Sequence, residues 1–318
     1  MEFPTTPMTT RSRVVLEIAS ELVADKSQPY NQAKVYLRTQ GKEEWPLCLF
    51  GSSTLEGIHA VVRGEAALAM INPASPLMLA YRGTGMFGAP QPVRTIGVIP
   101  SYDNYVFAVK REHGLASFED IGRKRAPLKL SLRGHRDHWL HVMLDDIAAA
   151  SGFAVADIAG WGGAVRHEGL LPFPDGPKFK ALAAGEIDAI FDEASNVWID
   201  QALANGMTIL PLEEPTLHKL EAMGYRRGTI AKADYPGLPA DVATLDFSGW
   251  PIFVHADAPD DLVTRLARAL DARKHLIPWQ GEGPLPVERM AREAPDTPQL
   301  VPLHPAAERV WRDLGYLE

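Results

Sequence analysis

The chain has 318 residues, enough for two modest domains or one large one, and its 46% hydrophobic and 23% charged residues are ordinary globular usage. A formal charge of −8 and a pI near 5.7 argue against a nucleic-acid-binding surface and suit a small-molecule partner. One cysteine, Cys48 in the apolar run "WPLCLF", excludes an intrachain disulfide and reads as a buried small hydrophobe; no window approaches the roughly 20 apolar residues of a membrane-spanning helix.

The opening stretch "MEFPTTPMTTRSRVVLEIASELV" has neither an apolar signal core nor a small-residue cleavage site, so the chain as written is expected in the cytoplasm. A chain whose leader has been removed reads the same way and would be periplasmic. "RVVLEIAS" (13–20) is β-branched and apolar and predicts a strand, followed by a polar helical stretch ending at "QAKVYLRTQ". "WPLCLFGSS" (45–53) predicts a second strand running into a turn. "STLEGIHAVVRGEA" predicts a helix capped by Ser53 or Thr54, and "AALAMIN" (66–72) a third strand. The run 93–114 is strand-like on both sides of Pro100. A short helix and a strand, "LKLSL", come next, then a helix over 138–153 that stops at Gly152. Helix, glycine and strand follow over 178–195, then a strand at 207–212 and a long strand-like run over 243–255. An amphipathic helix at 259–276 and a short helix in the proline-rich tail complete the chain. Strands alternating with helices imply a parallel sheet and an α/β fold.

Two segments share one grammar. "AVVRGEAALAMINPAS" (60–75) and "ALAAGEIDAIFDEAS" (181–195) each run from an apolar helix through Gly-Glu into a short apolar strand that ends in polar residues and Ala-Ser. Open α/β sheets bind ligands beyond the carboxyl ends of their strands, so two such units predict two similar lobes facing a shared cleft. The long runs 93–112 and 243–255 then become two crossover strands that act as a hinge. Lobe one is expected to hold residues 1–104 plus 250–318, and lobe two 105–249.

The ordered set "FGSSTLEGIHAVVRGEAALAMINPAS", "AYRGTGMF", "PVRTIGVIPSYDNYVFAVKREHGLASFEDIG", "ALAAGEIDAIFDEAS" and "YPGLPADVATLDFSGWPIFVHADAPDDLVTRLARAL" resembles solute receptors of the TAXI type, from tripartite TRAP transporters, over about residues 45 to 275. The resemblance implies a two-lobed type II periplasmic-binding-protein fold, a small carboxylate ligand, lobe closure around it and a TRAP-type membrane permease as partner. The sequence departs from that pattern in showing no leader and in replacing a glycine- and Ser/Thr-rich turn with "SLRGHRDHW".

Several residues are candidates for the cleft. Gly51, Ser52, Ser53 and Thr54 form a strand-to-helix turn whose free N–H groups and hydroxyls suit an anion. Asn72 ends a strand with an amide that both donates and accepts. Tyr102, with Tyr105, is expected to wall the cleft, and Asp103 to serve in a turn. Arg133 directly follows "LKLSL", and its guanidinium is the best placed two-pronged donor for a carboxylate; Gly134 lets backbone approach the ligand. Trp161 in "GWGGAVRHEG" is expected to stack on a flat ligand. Asp192 and Glu193 end the second echo strand as acceptors, and Trp198 covers the cleft.

His135, His138 and His141 are spaced by three, but one regular helix turns the third about 120° from the first and cannot aim all three at one ion. His135 is therefore assigned to the ligand, and no metal or other cofactor is expected. Walker, dinucleotide, zincin and nucleophile-elbow motifs are absent. The leading expectation is a solute-binding protein that captures a small organic anion by hinge closure. The rival is a cytosolic, metal-assisted, decarboxylase-like enzyme on the same fold, acting on an aromatic or dicarboxylic acid through His135, His138 and Asp192, with His135 and His138 as the metal pair.

Overall fold

The computed structural model describes residues 7–24, 30, 32–38, 47–52 and 55–318. The first sheet is built from β1 (Gln32–Leu37), β2 (Leu47–Ser52), β3 (Leu68–Met70), β4 (Val93–Ile99) and, much later in the chain, β12 (Trp250–His255). The second holds β5 (Val106–Lys110), β6 (Lys129–Leu132), β7 (Ala164–His167), β8 (Ala189–Asp192) and β9 (Met207–Ile209), and a hairpin joins β10 (Arg227–Ile230) to β11 (Val242–Leu245). Helices α1 (Pro7–Ala24), α2 (Glu56–Val62) and α3 (Ser75–Arg82) precede β4. Helices α4 (Glu119–Arg123), α5 (Trp139–Ala150), α6 (Asp157–Gly160), α7 (Pro177–Ala183), α8 (Ser195–Ala204) and α9 (Glu214–Met223) connect the strands of the second sheet and its hairpin, and α10 (Asp260–Arg273) and α11 (Pro305–Asp313) close the chain.

The two sheets repeat one plan. Their orders are β1-β2-β3-β12-β4 and β7-β6-β8-β5-β9. In the first, β3 lies parallel to β2 and antiparallel to β12, which is also antiparallel to β4. In the second, β8 lies parallel to β6 and antiparallel to β5, which is also antiparallel to β9. The strand that crosses from the other half is thus inserted at the same place in each sheet. The two segments that share a sequence grammar, α2–β3 and α7–β8, both deliver the strand beside that inserted one. This is the two-lobed type II periplasmic-binding-protein fold. The chain passes between the sheets twice, at residues 100–105 between β4 and β5 and at 246–249 between β11 and β12.

Two expectations near the N-terminus are corrected. Residues 13–20 lie in α1 rather than in a strand, and Gln32–Leu37 form β1 rather than the end of a helix. β1 pairs antiparallel with β2 over six residues, from Gln32 opposite Ser52 to Leu37 opposite Leu47. The edge beside β2 is therefore taken, and the 13–20 run closes its backbone hydrogen bonds within a helix instead. The apolar residues of α1 remain on the surface: Val14, Val15, Leu16, Ile18, Leu22 and Val23 are 40–66% exposed. The run 243–255 divides into two strands, because residues 246–249 turn between the hairpin and the first sheet. No helix among the described residues is long and apolar enough to cross a membrane.

The largest apolar core runs continuously from the first sheet (Cys48, Phe50, Ala69) to the second (Phe107, Leu130, Phe191). At its centre Phe107, fully buried, meets Tyr105, Phe118 and Phe191 with ring centroids 4.9, 4.5 and 5.4 Å away. Side-chain bonds link α3 to the second half: Trp139 Nε1 donates to Ser75 Oγ at 3.0 Å, and Thr84 Oγ1 just after α3 donates to the Met223 carbonyl. Phe107→Ala should cost about 3–5 kcal/mol, the range for deleting a buried aromatic ring. A loss below about 1 kcal/mol in urea denaturation would show that this ring cluster does not organise the core.

Candidate functional site

A cavity of about 920 Å3 opens where both sheets end. The first sheet supplies Asn72 just past β3, residues 100–104 just past β4, and Trp250 at the start of antiparallel β12. The second supplies Glu193 to Val197, at the end of β8 and the start of α8. The hairpin contributes Thr229 and Ile230 from β10 with Asp234 and Tyr235 beyond it, and the C-terminal segment adds Trp279, Gln280 and Asp296. A smaller hollow of about 310 Å3 shares Asn72 and Trp250 and is lined by Ser52, Tyr30 and Val23.

Asp103 organises the meeting of the halves. Its Oδ2 accepts from the Ala194 N–H at 2.7 Å, and its Oδ1 accepts from the N–H groups of Ser195 at 2.9 Å and Asn104 at 2.7 Å. Ala194 sits in the left-handed region at φ +60°, uncommon for a residue with a side chain, and the Asp103 carboxylate holds it there. The N–H groups of Ala194 and Ser195 at the positive end of α8, which would suit an anionic ligand, are thus taken by the protein's own carboxylate.

Behind the cavity wall lies a buried charge cluster. Arg133, just after β6, donates one NH2 group to both Asp192 Oδ1 and Glu193 Oε1. Its NH1 lies 3.3 Å from His138 Nε2, and Lys178 Nζ lies 3.6 Å from Asp192 Oδ2. All five side chains are less than 10% exposed, and Asp192 is fully buried. Burial pulls the Arg133 pKa down, yet Asp192 and Glu193 hold it above its ordinary value, so it stays charged. Burial, with Arg133 adding, pushes His138 down to about 2, so its ring is neutral; its Nδ1 caps α5 by accepting from the Leu140 N–H. Burial pushes Glu193 up to about 8 against the pull of Arg133, and Asp103 adds to the rise. Asp103 is itself raised by burial. The two carboxyls therefore share a proton at neutral pH.

The structure sorts the expected residues plainly. Asn72 and Tyr102 line the cavity, with the Tyr102 hydroxyl donating to the Thr229 carbonyl at 3.1 Å. Ser52 lines the adjoining hollow, while Ser53 and Thr54 lie outside the described residues; Leu55, in the cap position of α2, makes no side-chain cap bond. Arg133, the expected anion grip, does not line the cavity, and its fork is engaged by two carboxylates. Asp192 likewise lies behind the wall. Gly134 is exposed and bonds its N–H to the Gly169 carbonyl, and His135 pairs with Asp137 at 2.6 Å. Trp161 packs on Phe153 with ring centroids 5.9 Å apart. Trp198 is a core residue whose indole N–H donates to the Glu193 carbonyl at 2.8 Å, and Tyr105 is fully buried. Neither tryptophan reaches the ligand space.

Among the described residues no group of three or more His, Cys, Asp or Glu side chains converges as a metal site. His135 and His138 have ring centroids 5.7 Å apart, but the second is buried behind Arg133. Asp103, Trp250, Trp279, Thr229 and Tyr235 are cavity residues that sequence reasoning missed. Asp103 carried a signal, a carboxylate in the crossover segment itself; the others come from strands and loops more than 120 residues further along the chain, which only folding brings there.

A family model described as the NMT1-like family matches residues 51–315. The chain belongs to the NMT1-like family. Among solved structures, this NMT1-like protein matches the alkanesulfonate-binding protein SsuA from Xanthomonas axonopodis pv. citri bound to MOPS, at 15% identity over 80% of this chain and 68% of that one, with a TM-score of 0.31. It also matches a TctC solute binding protein from Polaromonas, at 13% identity over 69% and 67% of the two chains, with a TM-score of 0.34. Likeness at this level carries neither fold nor ligand across.

Two predictions test the cluster. Arg133→Ala leaves buried Asp192 with Lys178 alone, at 3.6 Å, and should destabilise the protein by about 3 kcal/mol at neutral pH in chemical denaturation; an unchanged midpoint would mean the pairs do not form. The second concerns pH. The folded Glu193 pKa lies above its unfolded value, so its contribution to stability is complete below about pH 4.5 and is lost as pH rises through about 8. The melting temperature of the wild type relative to Glu193→Gln should therefore fall between pH 5 and pH 8.5, and a pH-independent difference would exclude a buried, protonated Glu193.

Proposed function

We propose that this NMT1-like protein is a solute-binding protein that encloses a small molecule between its two lobes by hinge closure. The observation that carries the reading is the cavity of about 920 Å3 at the shared carboxyl ends of both sheets, spanned by only two chain crossings. A cavity of that size, at the place where open α/β sheets bind ligands, suits a small organic molecule. The lobe division into residues 1–104 plus 250–318 and 105–249 belongs to the same reading, supported by the crossings at 100–105 and 246–249. Within the family, the finer assignment is the TAXI type, serving a TRAP-type permease in the periplasm; its support is the ordered set of segments from residue 45 to 275.

The expected organic anion is not carried forward. No Lys, Arg or His is among the described residues that line the cavity; of the elements suited to gripping an anion, Arg133 and the start of α8 are engaged internally, and Ser53 and Thr54 of the third lie outside the described residues. The decarboxylase-like alternative has no supporting geometry: Asp192 and His138 are buried and paired, and His135 turns to Asp137.

A thermal-shift screen of small solutes tests the reading, since a ligand that binds only the folded state raises the melting temperature. A hit should quench or shift the fluorescence of Trp250 and Trp279, reduce the radius of gyration in solution scattering, and lose at least tenfold in affinity on Trp250→Ala. Hits indifferent to that substitution, with no compaction, would sink the proposal.

A further inference from the structure

We infer that the apolar face of α1 is a docking surface for α1 of a second copy of this chain, the two helices lying antiparallel about a twofold axis. This surface lies outside the cavity of about 920 Å3 and holds whether or not a solute binds there.

The first support is an apolar face without a cover. Every residue from Thr10 to Ala24 is exposed. Val14, Val15, Ile18 and Leu22, at positions i, i+1, i+4 and i+8, form one stripe along the helix, and each is at least 50% exposed. A contiguous apolar stripe left open on a soluble protein marks an interaction site. Thr9, Thr10, Val14, Val15, Ile18 and Val23 are β-branched and weak helix formers, so a helix of this composition relies on packing of its apolar face.

The second support is the order of charges along the helix. Arg11 and Arg13 stand in the N-terminal half of α1, Glu17 and Glu21 in the C-terminal half. For a helix alone this order is unfavourable. Glu21 falls in the last turn, at the negative end of the helix dipole, and Arg13–Glu17 is the weaker of the two i, i+4 orientations. None of the four charges has an ion-pair partner among the described residues. An antiparallel second copy corrects the order, because it lays the arginine half of each helix along the glutamate half of the other and opposes the two dipoles. With Val15 opposite the partner's Ile18, Arg11 comes beside the partner's Glu21. A parallel pairing would set like charges together.

The same charges favour a second copy over a lipid surface. Helices that lie in a membrane interface carry a polar face rich in Lys and Arg, whereas here two glutamates cancel two arginines. The pattern is complementary to itself, which is what a twofold interface requires, since the same patch serves both subunits. One pair of helices about 27 Å long is a small interface, so association is expected at micromolar concentrations.

The test is analytical ultracentrifugation of the full chain from low micromolar to near-millimolar concentration. The wild type should pass from monomer to dimer over that range. Ile18→Glu, at a position exposed in the single chain, should weaken the dimer by about tenfold or more, because it places an unpaired charge in the seam. Arg11→Glu and Glu21→Arg each set like charges face to face at both symmetry-related contacts, and each should weaken the dimer by about tenfold. Both changes move the charge order of the single helix in the favourable direction, so lost association cannot be ascribed to a lost helix. Combining Arg11→Glu with Glu21→Arg restores opposite charges across the axis, and that double variant should dimerise within about twofold of the wild type. A dimer indifferent to Ile18→Glu, or single charge variants that associate as well as the wild type, overturns the proposal. A wild type that stays monomeric also overturns it; adsorption of that monomer to vesicles of phosphatidylcholine and phosphatidylglycerol, lost in Ile18→Glu, would assign the face to a lipid surface instead.

Discussion

The carboxylate of Asp103 is the contact on which the site depends. It sits in the first chain crossing between the sheets and accepts from three N–H groups, two of them at the start of α8. A helix start carries unpaired donors and a partial positive charge, and a buried carboxylate needs both. One side chain therefore fixes the crossing to the second lobe, holds Ala194 in its left-handed conformation and turns an electropositive corner into an acidic one.

That choice propagates into the buried cluster. With Asp103 facing Glu193, two carboxyls crowd one another in a low-dielectric place, and a shared proton together with Arg133 relieves the repulsion. Arg133 is drawn inward because two carboxylates at the end of β8 offer it more than solvent would. Lys178 completes the balance beside Asp192. The result is a positive layer behind the wall and an acidic face toward the cavity. A close pair of this kind contributes mainly geometry, since the desolvation of each charge offsets most of their attraction.

Much of the fold was legible in the sequence. Apolar runs of strand length, helices that stop at glycine and the repeated Gly-Glu unit located β2 to β6, β8 and β9 with α2, α4, α5 and α7, because each depends on local periodicity; the short elements α3, α6, β7 and α8 were not legible, β7 because its residues lie in a glycine-rich stretch. The N-terminal region was not legible in this way. The run at 13–20 has strand composition and forms a helix, while Gln32–Leu37 has a polar pattern and forms a strand. Which segment takes the edge beside β2 is settled by pairing between strands, and composition does not encode it.

The sequence by itself determined the α/β class, the two similar lobes, the crossing segments and the placement of Asn72 and Tyr102 at strand ends, since these follow from hydrophobic period and from where short strands stop. It also placed Arg133 and Asp192 at the ends of their strands. Only the tertiary structure decided which way those charges face. Arg133 follows β6, and its partners stand at and just past the end of β8, 59 and 60 residues later; parallel pairing of the two strands brings them together. An arginine at a strand end can serve a ligand or a buried carboxylate equally well; the neighbour that arrives with the next strand settles it, and here that neighbour is acidic.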